Sequence, residues 1–318
     1  MKFYTPVEVS ALPVGLTPGE KVMTLGSCFS DSMAGHLRDA GFDVCANPFG
    51  TLYNPASICS AVMRLDSGSR FVHEDCVRMG AGAGMICSFE HHTAMARRTE
   101  SEFLEAANAA LGETSAFWKV CRKIIISLGT SFVWRHKVPE NGSFNINDCI
   151  SGDKTELCSV LTILLGTNNH NKVVSNCLKI PEKEFSHEML KYDEISSLLN
   201  WLVTAHPDKE FIFTVSPIRH LAQGAWQNSL SKSALQLGVA DVCANHPGRA
   251  CSFPAYEILC DELRDYRFYA DDLVHPSGVA IDYIWEKFCD AAIPSDQIET
   301  VRQNEKAARR AAHRPILK

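Results

Sequence analysis

Three runs in this chain have largely apolar middles without alternation and stop at a turn residue: "KVMTLG" (21–26), "RKIIISLGT" (122–130) and "KEFIFTVSP" (209–217). Strands with one wet face alternate apolar and polar residues, so runs without alternation predict strands buried on both faces. The stretches between them read as helices. "SDSMAGHLRDAG" has Ser30 or Asp31 to cap it and Gly41 to end it; "NPASICSAVMRL" (54–65) begins with an Asn54 cap and Pro55 in its first turn. "SSLLNWLVTAHP" (196–207) and "SFPAYEILCDELRDY" (252–266) supply further helical segments, and "FDVCANPFG" (42–50) a second short strand. Alternating strands and helices predict an α/β fold with a parallel central sheet covered on both faces. Function in such sheets lies at the carboxyl ends of the strands.

At 318 residues, 46% hydrophobic and 21% charged, the chain has material for a substantial core. A formal charge of −6 gives no field that favours nucleic acid or a membrane surface. No apolar run approaches the roughly 18 residues that span a bilayer. The first residues lack a secretory leader pattern. Thirteen cysteines, an odd number without Cys-x-x-Cys spacing, predict reduced thiols and a cytoplasmic location rather than a disulfide framework or zinc site. The expected organisation is one domain over 1–300, interrupted by a polar, turn-rich excursion around 134–172, then a basic C-terminal tail over 301–318.

The polar residues with chemical capacity sit where strands end: Ser27 after the first, Gly50 after the second, Arg219 and His220 after "KEFIFTVSP". A hydroxyl becomes nucleophilic when a base takes its proton, and the base needs an orienting acid. "YADDLVHPSG" (269–278) offers both, Asp272 three residues before His275, with Pro276 restricting the histidine backbone. Cys28 is a rival nucleophile, since a thiol at a helix start gains reactivity. Adjacent residues in a strand–turn–helix point in different directions, so only one of Ser27 and Cys28 can face His275.

"GSCFS" (26–30), "NPFGTLYNP" (47–55), "ISLGTSFVWR" (126–135), "VSNCLKIP" (174–181), "TVSPIRHL" (214–221) and "FPAYEILCDELRDYRFYADDLVHPS" (253–277) together resemble the GSCFA domain family, which is similar to the SGNH/GDSL-type hydrolases. The resemblance implies a flavodoxin-like three-layer α/β/α sandwich and a serine esterase without cofactor. Its triad would be Ser27 as nucleophile, His275 as base and Asp272 as orienting acid, with Cys28 packed under the turn. It also implies an oxyanion hole from the N–H groups of Ser27 and Gly50 and an asparagine side chain. Ser131 stands where the superfamily carries that asparagine; Asn176 is the preferred substitute and Asn168 the second. Leu178 stands where the family usually has histidine. Arg219 and His220 are expected to bind an anionic substrate group, or Arg219 to brace its loop. The expected partner is a small-molecule or saccharide ester, with no nucleic acid and no membrane. An acyltransferase using the same site, or a carbohydrate- or ligand-binding protein retaining the fold, are the alternatives.

Overall fold

The computed structural model describes residues 4–137, 164–166 and 172–312. The three apolar runs are the middle of one parallel sheet. Its strands are β1 (Lys21–Gly26), β2 (Asp43–Ala46), β5 (Lys123–Leu128), β9 (Glu210–Val215) and β10 (Ala250–Ser252), in the order β10-β9-β5-β1-β2. Every neighbouring pair is parallel.

Successive side chains of a strand point to opposite faces, and here each face meets its own layer of helices. Val22, Ile125 and Ile212 enter a core with α1 (Cys28–Asp39), α6 (Gly278–Ala292) and α7 (Ile298–Ala312). Met23, Leu25, Ile124, Ile126, Phe211 and Phe213 enter the other core. That layer holds α2 (Pro55–Ser67), α3 (Glu100–Val120), α4 (Tyr192–Ala205) and α5 (Ala225–Asn245). Burying each such aliphatic or aromatic side chain stabilises the fold by roughly 1.5–3 kcal/mol. Two buried faces explain the missing alternation, and the architecture is the expected flavodoxin-like three-layer sandwich.

Local signals set the helix boundaries. Asn54 Oδ1 accepts the Ser57 N–H at 2.8 Å to start α2, and Gly68 ends it at φ 60°. Thr99 and Glu102 close a reciprocal cap on α3. At α1 the expected boundary shifts: the helix begins at Cys28, with Ser27 as its extended N-cap residue, so Ser30 and Asp31 lie inside the first turn.

The excursion around 134–172 is not wholly irregular. β6 (Phe132–His136) pairs antiparallel with both β7 (Lys172–Val174) and β8 (Phe185–Met189), beside the main sheet; residues 138–163 and 167–171 lie outside the described residues. A short antiparallel pair, β3 (Val77–Arg78) and β4 (Ile86–Cys87), completes the strands described. The boundary expected at residue 301 falls inside α7. Val301 is buried there, Asn304 Nδ2 donates to the Ala40 carbonyl at 2.9 Å, and Trp285 Nε1 donates to Glu305 at 2.7 Å. Residues 301–312 therefore belong to the helical layer.

Candidate active site

β1 is the strand from which the chain departs in both directions, to β2 on one side and across to β5 on the other. Loops leaving the carboxyl ends of β1 and β5 diverge at such a point and open a crevice. Gly26 allows β1 to end there: its φ is +131°, and a Cβ on it would stand 2.1 Å from the Ser127 carbonyl oxygen on β5. The tight approach is fixed by hydrogen bonds. Ser27 N–H donates to Ser127 O at 3.0 Å, Leu52 N–H to Gly26 O at 2.8 Å, and Gly26 N–H to Asn47 Oδ1 at 2.9 Å.

This turn assigns opposite directions to the two adjacent nucleophile candidates, and it reverses the expected assignment. Ser27 is fully buried, its Oγ 3.0 Å from Ser127 Oγ, tying β1 to β5. Cys28, the first residue of α1, is partly exposed and directs Sγ to His275 Nε2 at 3.5 Å. An N-cap serine would ordinarily accept an amide of its own helix. Ser27 makes no such bond, because its hydroxyl points down the strand ends instead.

The histidine is held as the Asp-x-x-His spacing predicts. Asp272 Oδ2 lies 2.6 Å from His275 Nδ1, while Asp272 Oδ1 accepts the backbone N–H groups of Val274 at 3.0 Å and His275 at 2.9 Å. These donors, the His275 amide foremost, lower the Asp272 pKa to about 2, so the carboxylate is ionised at any ordinary pH. The loop closes on itself through Ala270 N–H to His275 O at 2.8 Å, with Leu273 left-handed at φ 58°. It is anchored to the end of β9 by Arg219 N–H, which donates to Val274 O at 3.1 Å.

Burial is the main influence on the Cys28 thiol and raises its pKa above the ordinary thiol value. Its own backbone N–H and the Tyr53 hydroxyl act against that rise, and Asp31 and Asp272 add to it. The thiol is thus protonated at rest, with an imidazole in position to receive its proton. Tyr53, a residue the sequence reading passed over, also accepts a hydrogen bond from Thr51 Oγ1 at 3.2 Å. Its quoted motif, "NPFGTLYNP", was the available signal.

Two of the expected oxyanion donors, the N–H groups of Gly50 and Ser27, are engaged elsewhere, whereas Asn176 is engaged through its acceptor oxygen. Gly50 N–H donates to Asn47 O at 2.7 Å. Glycine is needed there because φ is +78° and a Cβ would meet the His92 side chain at 2.4 Å. Asn176 Oδ1 accepts the Leu178 N–H at 2.8 Å, supporting the left-handed Leu178–Lys179 turn. No hydrogen bond joins Asn176 to Cys28, Tyr53 or His275 among the described residues. Leu178 is fully buried. Ser131 is buried, with its N–H and Oγ both on Ser231 Oγ at 2.8 and 3.0 Å. Asn168 lies outside the described residues. The Ser27 N–H, also expected to contribute, is spent on Ser127 O, which leaves the Cys28 amide at the open N-terminus of α1 as the backbone donor beside the sulfur.

Arg219 braces the loop through its backbone N–H on Val274 O, while its side-chain Nε is buried without a hydrogen-bond partner. His220 lies on the other side of the backbone. Its N–H donates to Asn228 Oδ1 at 2.9 Å, and its ring packs edge-on against Tyr53 with centroids 5.3 Å apart. Burial lowers the His220 pKa to about 4, helped by Lys232 and His275, so the ring is neutral and cannot serve as a cationic anchor for an anion. Behind it the fully buried Lys232 Nζ donates to the carbonyls of Gly129 and Ser216, both at 2.7 Å, joining the ends of β5 and β9.

No helix among the described residues is long and apolar enough to cross a membrane, and no group of three or more His, Cys, Asp or Glu side chains there could hold a metal ion. No curated protein and no solved structure matches the chain. The model of the GSCFA family matches residues 21–288, from the first residue of β1 into α6. That span takes in the glycine turn, Cys28, the β9 loop and the Asp272–His275 loop: the chain belongs to the GSCFA family.

Proposed function

We propose that this chain is an SGNH/GDSL-like acyl hydrolase that uses a thiol where the sequence reading placed an alcohol, with Cys28 as nucleophile, His275 as base and Asp272 as orienting acid. One observation carries the reading: a partly exposed Cys28 Sγ lies 3.5 Å from His275 Nε2, whose other nitrogen is 2.6 Å from an ionised carboxylate. Nucleophile, base and orienter in series are the requirement for covalent acyl transfer.

In the reaction, His275 Nε2 takes the thiol proton as sulfur attacks the ester carbonyl carbon. The carbonyl π electrons move to oxygen, beside the Cys28 N–H and the positive end of α1. The tetrahedral intermediate collapses with loss of the alcohol, which receives the proton from His275, and leaves a thioester on Cys28. His275 then deprotonates a water that attacks this thioester, and the departing thiolate recovers its proton. Asp272 stabilises the imidazolium in both halves. The substrate class is a small-molecule or saccharide ester, and the free thiols of the described cysteines fit a reducing, cytoplasmic setting. A thioester retains acyl-transfer potential, so a bound alcohol in place of water would make the same site an acyltransferase.

The test is p-nitrophenyl acetate turnover with intact-mass detection of the acyl-enzyme. Wild type should gain one acetyl group, mapped to Cys28, and Cys28→Ala should neither turn over nor acylate. Acylation mapped to Ser27, or a folded wild type inert to a panel of activated esters, would overturn the reading. Labelled acyl donor with and without sugar acceptors separates hydrolysis from transfer.

A further inference from the structure

The outer face of α5 (Ala225–Asn245) is built unlike a solvated surface. Between Leu221 and Ala240 the chain has one charged residue, Lys232, and that side chain is buried. The chain as a whole is 21% charged, and a surface helix ordinarily turns its charges outward. Here Trp226, Leu230, Ser233, Leu237, Ala240 and Ala244 are the exposed residues, at steps of four, three, four, three and four. That is the 3.5-residue repeat of a helix seam that meets a second helix. Trp226 is 72% and Leu237 56% exposed, and large apolar side chains grouped in one stripe mark an interaction surface.

Tyr192 widens the stripe. α4 runs parallel to α5: Ser196 Oγ donates to Asp241, and one turn later Asn245 Nδ2 donates to Asn200 Oδ1 at 3.2 Å. The same register places the exposed Tyr192, one turn earlier, level with Leu237. Asp241, the first acidic residue of the helix, is thereby engaged at the edge of the stripe.

We propose that this face is a homodimer interface, two copies of the chain packing their α5 seams antiparallel about a two-fold axis level with residue 235. The order of side chains selects that occupant. Trp226 then faces the partner's Ala244, Leu230 the partner's Ala240, and Leu237 the partner's Ser233. Every bulky side chain meets a small one, and the symmetry repeats each layer. A parallel pair would set Trp226 on Trp226 and Ala244 on Ala244, crowding one end and leaving a void at the other. Charge favours the same occupant. Each copy carries a formal −6, so copies repel through their charged surfaces, whereas this stripe brings no like charges together. A membrane-surface helix would flank its apolar face with Lys and Arg, and α5 exposes neither. The seam runs about 27 Å along the helix. With Tyr192 beside it the contact is of the small class, below about 1,200 Å² in total, so the dimer is reversible. α5 starts at the carboxyl end of the sheet, just after β9. Antiparallel packing therefore turns the two crevices to opposite ends and leaves both open.

The experiment is sedimentation equilibrium of the full chain under reducing conditions, from about 1 to 500 µM, where mass action reveals a weak dimer. Wild type should pass reversibly from monomer to dimer. Ala240→Lys and Leu230→Glu should each weaken dimerisation at least ~100-fold, by setting an unpaired charge against the seam. The double variant Leu230→Glu/Ala240→Lys should recover the dimer, because the antiparallel register sets the new carboxylate of one copy against the new ammonium of the other. Within one helix those positions are about 15 Å apart and cannot pair. All four proteins should melt within about 3 °C of one another when dilute, since both positions are exposed. A wild type that stays monomeric throughout overturns the proposal, and cosedimentation of that monomer with phosphatidylcholine vesicles would assign the face to a membrane instead. An undiminished dimer in Ala240→Lys also overturns it, because the interface then lies elsewhere. A double variant that stays monomeric overturns the antiparallel register. None of these results bears on the chemistry of Cys28.

Discussion

Replacing Ser27 by alanine removes one half of a buried hydroxyl pair. Ser27 Oγ and Ser127 Oγ are 3.0 Å apart, and both residues are 0% exposed. Ser27→Ala strands the Ser127 hydroxyl away from water, at a cost of about 1–3 kcal/mol. At roughly 2–3 °C per kcal/mol for a domain of this size, Tm should fall by roughly 2–9 °C. The double variant Ser27→Ala/Ser127→Ala removes both partners and should regain most of that loss, giving a coupling energy of about 1 kcal/mol or more in a double-mutant cycle. Ester turnover tells a different story at the same turn. Ser27→Ala should keep activity within about threefold of wild type, since its hydroxyl does not face the imidazole, whereas Cys28→Ala should lose at least ~10³-fold. Urea melts for four proteins (wild type, two single variants and the double) and initial rates with p-nitrophenyl acetate make the measurement. A well-folded Ser27→Ala that acylates at background rate would refute the reasoning, because it would return the nucleophile to the hydroxyl.

Asp272→Asn leaves Nδ1 of His275 without its carboxylate and should lower turnover by several powers of ten, by analogy with other triads, while Cys28 alkylation continues. The pKa of Asp272, lowered to about 2 by its amide donors, makes its contribution to loop stability complete above the ordinary carboxylate range and lost as pH falls from about 4 toward 2; proteolysis of the 268–277 loop over that range checks this. Cys28 alkylation by iodoacetamide should keep rising with pH beyond 9, as burial holds the thiol above its ordinary value, and a plateau near neutrality would contradict it. Lys232, pushed down to about 7 by burial, releases its proton in the folded state far below its ordinary 10.5. The folded state binds fewer protons than the unfolded over that window, so wild type should gain stability relative to Lys232→Met as pH rises from 7 to 10, measured by denaturant melts at each end.

The parallel sheet was legible because its evidence is statistical and redundant: every residue of "IIISL" and "FIFTV" is buried on one face or the other. The Asp272–His275 pair was legible because a three-residue spacing within one loop fixes its own geometry. The choice between Ser27 and Cys28 was not. It depends on which way the chain turns after Gly26, and that is set by Ser127 and Leu52, residues far along the chain whose hydrogen bonds no local pattern encodes. Gly50 was hidden for a related reason. A motif names a residue but not whether its polar atoms are already engaged, and the Gly50 N–H is spent on Asn47 O. Tyr53 became visible only once β1, β5 and β9 were side by side.

The sulfur belongs to the first helix of the chain and the imidazole to the loop before α6, brought together only after every strand of the sheet has taken its place. On a ribosome that distance is a delay. Through almost the whole of synthesis the emerging polypeptide carries the Cys28 thiol without its imidazole neighbour, and the burial that holds the thiol's proton arrives only when the fold closes around it.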